Sequence, residues 1–511
     1  LFIPMLLNAG INISGNVIDL STESPLAGAD VFLEGTAIGD ATDLNGHFLI
    51  TNVSKGSYVL KIRFLGYESS SIDIVVNENG GEGSQVVIRG LAPTYNSVTI
   101  SGQKLAATDL DDRGVDLSMI SPEILAGIEV SKALTPDQDA DSFGGSVNFK
   151  LADAPSGGFR SNFRAQTGNN YLREDGGSYK TSLTLTNRLF DEKLGYMLTS
   201  SLEKAQRGSD VYGASYYLLR EARDDEEYAP ISINHLNLKY IEETRRRFSI
   251  GLINDVNINN SKITLNNFYS RLNRYEDIYT NKYDNWNNWH ERSLLDRDIS
   301  IGIITNSLAG EHILKSGLIN WKIANSSSLN RHPMTKEFRV QEQSAFLQSL
   351  LPNEVVEAED LIIAANNDID ETFLYQGEVY EELSKEDDFS ARLDYTYSFA
   401  VGNNLALNIK VGTKYTKKNK DRKSEDSDAR LDKPNIEFET NHTEYGNEDF
   451  NFQWFNGQPS IFNYLDEGFV ANNFLDGEYD FGLRLDEKEL NHLLSNYLLD
   501  SLYNRSIDAM L

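Results

Sequence analysis

Three aspartates, Asp137, Asp139 and Asp141, alternate in the stretch TPDQDADS. Carboxylates at that spacing offer oxygen ligands to a hard cation. The set stops short of a calcium loop, because no glycine follows at the sharp-turn position and no distant glutamate completes a bidentate pair. Asp43 and Asn45 in DLNG also lack the rest of such a loop and read as a turn, and His47 has no ligand-spaced partner. There is no P-loop, GxSxG or HExxH, and the seven histidines lack zinc spacing. Without cysteine there is no thiolate site, cysteine nucleophile or disulfide. No catalytic residue, metal site or cofactor is therefore expected, and the chain reads as a non-enzyme. The other chemistry-bearing stretches are aromatic: YTNKYDNWNNWH at 279–290, with Trp286 and Trp289, and QWFNGQPSIFNY at 453–464. Aromatic faces beside amides suit a sugar or another flat ligand. They equally suit loops that pack on one another.

Composition narrows the classes. The 511 residues exceed one ordinary domain, and 47 Lys+Arg against 77 Asp+Glu give a formal net charge of −30. Such an excess opposes phosphate backbones, so no nucleic-acid partner is expected. No apolar run approaches the roughly 18 residues that a membrane-spanning helix needs. A transmembrane barrel stays open, since each of its strands needs only about ten residues with every second one apolar.

The elements that must position these residues fall into three zones. Residues 1–10, LFIPMLLNAG, run apolar into small residues and are expected to be a signal-peptide remnant. Residues 11–78 hold short strands punctuated by polar turns, the pattern of a β-sandwich. NENGGEGS at 77–84 is Gly-rich and supplies the joint, a linker placed at 79–85. Residues 86–152 read as a compact α/β unit with short strands at 86–89, 97–101, 128–131 and 146–150. Ser121-Pro122-Glu123 carries helix-start signals, and Gly144-Gly145 permits a tight bend into the last strand.

From residue 153 to 511 the period becomes two. Phe389, Ala391, Leu393, Tyr395, Tyr397 and Phe399 alternate with Ser390, Arg392, Asp394, Thr396 and Ser398. Charges on the second face would be costly in a packed core and cost little in a wet lumen. Nine strands are read, at about 158–166, 179–189, 194–204, 245–257, 262–273, 298–312, 317–330, 389–399 and 405–418. Their connections alternate short and long, as in outer-membrane barrels with short periplasmic turns. Residues 490–500 read as a loop helix. Nine strands fall short of the roughly 22 of a plugged transporter.

Several motifs point to one family. Ile88-Arg89-Gly90, Pro93-Thr94-Tyr95-Asn96, Ile128-Glu129-Val130, Thr135-Pro136-Asp137 and Gly144-Gly145-Ser146-Val147-Asn148, in that order, resemble the second half of the plug of TonB-dependent outer-membrane receptors. ISGNVID, PLAGADVFLEGT, DATDLNGHFLI and GSYVLKIRFLGYES resemble the carboxypeptidase-regulatory-like, transthyretin-like domain that precedes the plug in Bacteroidetes-type receptors.

The resemblance implies a mainly β protein with a sandwich, a partial plug and a partial antiparallel transmembrane barrel. It would lie in the outer membrane, in contact with its lipid, and import a siderophore, chelate or oligosaccharide. Its partners would be that ligand, TonB and TonB's inner-membrane energising complex. The TonB-interacting segment and the first plug half do not fit in the short joint, and the barrel reads as unfinished. The plug-motif residues would be Arg89, Gly90, Tyr95, Gly144, Gly145 and Asn148, with Arg89 paired to lumen carboxylates. Tyr95, Trp286 and Trp289 would touch ligand. The alternative is a surface-exposed β-rich binding or adhesion protein without transport activity.

Overall fold

The computed structural model describes most of the chain between Ile11 and Leu493. Outside the description lie residues 1–10, 18–25, 65–69, 79–82, 88–92, 121–124, 132–144, 224–228, 347–357, 402–404, 431–453 and 494–511, with a few shorter stretches. The expected signal remnant, the Ser121 helix start, the three alternating aspartates, Arg89, Gly90 and Gly144 all fall there.

The first unit is the expected sandwich. Strand β1 (Ile11–Asn16) pairs with β4 (His47–Val53). Strands β3 (Gly39–Ala41), β2 (Asp30–Leu33), β5 (Gly56–Arg63), β6 (Ser70–Glu78) and β7 (Gly83–Val87) form a second sheet in that order. Alternate side chains Val31, Leu33, Phe48, Ile50 and Leu60 point inward and make its core. Strand β7 departs from the sequence reading. It covers part of the Gly-rich joint and pairs with β6, so Val86 and Val87 extend the sandwich sheet instead of opening the plug. Gly-rich composition had hidden a hairpin whose ladder satisfies both backbones.

The second unit is a four-stranded sheet in the order β10 (Leu125–Ser131), β11 (Gly145–Leu151), β8 (Asn96–Ile100), β9 (Gln103–Lys104). β11 runs parallel to β8, which requires a crossover, and antiparallel to β10. Ser101 (φ 46°) and Gly102 (φ 73°) form the left-handed two-residue turn that closes β8 on β9.

The third unit is one large antiparallel sheet. Its order is β12 (Arg160–Asn170), β13 (Asp175–Leu189), β14 (Leu194–Gln206), β16 (Ile231–Ile258), β17 (Ser261–Asp284), β18 (Trp289–Leu314), β19 (Gly317–Gln343), β20 (Thr372–Val401) and β21 (Leu405–Arg430). Each of the nine expected strands is present. A tenth, β15 (Ser209–Leu218), pairs with the distal part of β16, inside what the sequence read as loop. The long strands also outrun the reading. Much of 231–244, 274–297 and 331–388 is ladder, because pairing continues after the apolar alternation fades. The 28 residues of β16 span about 90 Å, far more than a bilayer requires.

The two faces differ as alternation demands. Phe163, Leu183, Leu202, Leu252, Leu265, Ile304, Leu308, Ile323, Leu393, Ile409 and Val411 all project from one face and stay exposed. Aromatic pairs stand at two levels of this outward face. Near the short turns, Trp321 donates from Nε1 to His312 Nε2 at 2.9 Å, and Tyr397 packs on Phe399. Farther up, Phe248 packs on Tyr269. A continuous exposed apolar belt interspersed with aromatic rings is the lipid-facing surface of a transmembrane barrel.

Above the belt, the same outward face is covered by protein. Helix α1 (Ala358–Ala364), helix α2 (Glu487–Leu493) and the residues around 461–485 bury Leu236, Leu238, Tyr279, Leu294, Phe338 and Val340 under Phe346, Leu361, Tyr464, Phe474, Phe481 and Leu490. Helix α2 overlaps the helix expected at 490–500 at residues 490–493; residues 494–500 lie outside the described residues.

Candidate functional site: the plug against the lumen wall

The opposite face of the sheet carries the second unit. Ile100, Leu105, Val115, Met119, Ile120, Val147 and Phe149 pack on Phe268, Leu272, Ile299, Ile301 and Ile303 of β17 and β18. The lumen was expected to be polar throughout; under the plug it has this apolar floor, because two packed protein surfaces there exclude water.

Beside that floor, the segment after β9 runs along β19 and β20 with no partner strand of its own. Leu105, Ala106, Ala107 and Thr108 are all buried. Leu105 N–H donates to Val98 O at 3.0 Å and Thr108 N–H to Gly114 O at 2.9 Å, both within the plug, and four further backbone groups meet lumen-facing side chains. Ala106 N–H donates to Ser326 Oγ at 3.0 Å, and Ala107 N–H donates to Glu386 Oε1 at 2.8 Å. Ser328 donates to Ala107 O, and Asn330 Nδ2 donates to Thr108 O at 2.8 Å. Ser326, Ser328 and Asn330 sit at period two on β19, so one strand face supplies a ladder of short polar groups. Ser390 Oγ on β20 donates to Gln103 Oε1 at 2.7 Å. The sequence reading missed this track. Its signal was Ser326-x-Ser328-x-Asn330 on the lumen face opposite a small-residue run, LAAT.

Two charged regions border the track. Toward the short turns, Lys322 donates to Ser101 O, and a cleft of about 370 Å³ opens among Ser101, Lys262, Glu311, Lys322, Arg392 and Asp394. Toward the outer end, the turn at Leu117–Met119 meets the wall. Arg247 donates to Ser118 O and pairs with Glu203 at 2.9 Å, while Arg274 lies 3.5 Å from Asp116.

The residues singled out from sequence are scattered. Asn148 is a hub inside the plug: its Oδ1 accepts from Thr99 Oγ1 at 2.9 Å and Gly102 N–H at 2.7 Å, and its Nδ2 donates to Glu129 Oε2 at 2.8 Å. Gly145 opens β11 beside Asn96. Tyr95 is half exposed at the end of a 3-10 turn. Trp286 is exposed at the tip of the β17–β18 hairpin, edge-on to Tyr217 at 5.6 Å, and Trp289 begins β18 with Lys282 near its ring. These aromatics do not converge. Tyr95 is six residues from Ser101, at most about 20 Å, and Ser101 lines the cleft with Lys262. Lys262 lies some 70 Å of strand below the hairpin tip.

Comparison with known proteins bears on this arrangement. Residues 64–146 match the family model described as TonB-dependent Receptor Plug Domain, and residues 13–94 match the CarboxypepD_reg-like domain. The chain carries a TonB-dependent receptor plug. Proteins with this plug are receptors and transporters of the outer membrane and not enzymes, and the chain takes that class and location from it. The receptor's two matches overlap across 64–94, which includes all of β6 and β7. No curated protein matches the chain.

Solved structures similar to the receptor include the siderophore receptor PirA from Pseudomonas aeruginosa, at 12% identity and TM-score 0.20, covering 67% of this chain and 80% of that one. A mutant of the ferric enterobactin receptor PfeA from the same organism shows 12% identity and TM-score 0.28, over 61% of this chain and 66% of that one. The ferric citrate transporter FecA shows 12% identity and TM-score 0.27, over 70% and 56%.

Proposed function

We propose that the receptor imports a scarce solute across the outer membrane, drawing on TonB and its inner-membrane energising complex. The observation that carries this reading is the pairing of two surfaces on one sheet. The outward face presents an apolar belt to lipid, and the inward face holds a plug by side chains. A plug held by short polar side chains, without a shared ladder, is tight at rest and removable in small steps. That is what gated passage through a wall needs. The solute is a siderophore, another metal chelate or an oligosaccharide.

The test is uptake in cells that express the receptor, with and without TonB. Growth on a supplied chelate or glycan that depends on both supports the reading. Equal uptake without TonB, or recovery of the protein in the soluble fraction, sinks it. A surface adhesin would predict membrane localisation with no solute dependence.

A further inference from the structure

Four arginines crowd the lumen wall at the plug's outer turn: Arg245 and Arg247 on β16, Arg274 on β17 and Arg297 on β18. Three wall carboxylates answer three of them. Glu243 pairs with Arg245, and Glu203 with Arg247. Glu276 takes Arg297 through Nε at 3.0 Å and Nη2 at 2.5 Å, both nitrogens of one guanidinium edge.

Arg274 is left over. Its Nε stands 3.6 Å from Glu243 and 3.5 Å from Glu276, both already engaged, and its Nη2 stands 3.5 Å from Asp116 of the plug. None of these contacts makes a hydrogen bond. Among the described residues, Nε and Nη2 of this buried side chain, 7% exposed, both lack a hydrogen-bond partner. They form the same edge with which Arg297 grips Glu276. Asp116 is committed elsewhere: its Oδ1 accepts from Ser118 N–H at 2.9 Å and caps the 3-10 turn. Ser118 Oγ, Asn330 Oδ1 and His332 Nδ1 are also buried without hydrogen bonds. Buried donors left unmade are costly, and a guanidinium edge with two free N–H groups fits a carboxylate bidentately.

We propose that Arg274 is an anion-recognition residue in the lumen, balanced at rest by the plug carboxylate of Asp116, and that a carboxylate group of the solute takes its place. Asp116 supplies a negative charge from the plug side, 3.5 Å from Arg274 Nη2. A ligand carboxylate on the Arg274 edge makes that charge redundant and loosens the turn at Leu117–Met119 from the wall. The biological meaning of the site rests on the uptake reading, whereas its existence is tested by binding alone.

The experiment uses the full chain in detergent micelles, with tricarballylate as probe and its trimethyl ester as uncharged control. Binding is read by calorimetry, and folding of every variant is verified by heat-modifiable gel mobility. Tricarballylate is expected to bind and the ester not. Arg274→Gln should weaken binding at least tenfold, and Arg274→Lys should not restore it, since lysine has no fork. Asp116→Asn keeps the cap but removes the competing charge, and should tighten binding several-fold. The proposal is overturned if tricarballylate and ester bind alike, if neither binds, or if Asp116→Asn and the Arg274 variants leave affinity unchanged. Should Arg274→Gln not fold, Asp116→Asn and Arg274→Lys decide the matter. Binding intact with TonB-dependent uptake absent would count against the uptake reading and leave the site standing.

Discussion

At the scale of single residues, Asn148 shows how little of a side chain's job its type reveals. One amide joins β8, the β8–β9 turn and β10 to β11 through two accepted bonds and one donated bond. Asn148→Ala removes all three and leaves the Gly102 N–H and Glu129 to find water. The expected cost is about 1–3 kcal/mol, in the range for a lost hydrogen-bond set with partners left unmade. Thermal unfolding and protease sensitivity of the plug should record it. Asn148→Asp keeps the acceptor but sets a second carboxylate against Glu129, so it should not rescue. A variant as stable as the parent would mean that the hub is redundant.

Among elements, β19 divides its two faces between lipid and plug. Its outward residues Ile323 and Leu329 are exposed apolar groups, and its inward Ser326, Ser328 and Asn330 hold the plug segment. Ser326→Val, Ser328→Val and Asn330→Leu together remove the ladder while preserving the strand. Outer-membrane insertion should be unchanged. Cells should become more sensitive to large antibiotics, and the 105–108 segment more open to protease. Unchanged permeability would show that the apolar floor alone seats the plug.

The distal cover makes a separate prediction. Leu361 of α1 is fully buried against the outward face above the belt. Leu361→Ala should cost about 2–5 kcal/mol locally, as a core truncation does. It should expose residues near α1 to protease without altering gel mobility of the barrel. Loss of membrane insertion would place this cover inside the barrel's own folding unit.

For the whole molecule, the decisive feature is the belt. Leu393 and Ile409 are directly outward and half exposed. Leu393→Arg or Ile409→Arg should destabilise the protein in vesicles by about 2–4 kcal/mol if these positions lie near the midplane. The neighbouring lumen residue Ser390 should tolerate asparagine with far smaller loss. Urea unfolding in lipid vesicles compares them; equal costs on both faces would reject the membrane orientation. The charge excess of −30 is carried without conflict because many carboxylates line water or pair with wall arginines, as Glu203 and Glu276 do.

The sequence by itself pointed to the strands that face lipid, because an apolar face opposite a charged one, on strands joined by alternately short and long connections, fits a bilayer outside and a wet lumen inside. Phe389–Phe399 and Leu407–Tyr415 were legible for that reason, as were the sandwich core and the plug strands around Ile128 and Val147. It did not determine where those strands end. Beyond the belt, ladder hydrogen bonds hold β16 to β20 together whatever the side chains are, so apolar alternation no longer marks the boundary. The track at 105–108 and the arginine group also lay beyond its reach. Each joins residues more than a hundred positions apart, and only the tertiary structure decides that Ala106 meets Ser326 and Asp116 meets Arg274. Local pattern records what each face is surrounded by; which groups complete one another across the lumen is set by the packing of two units.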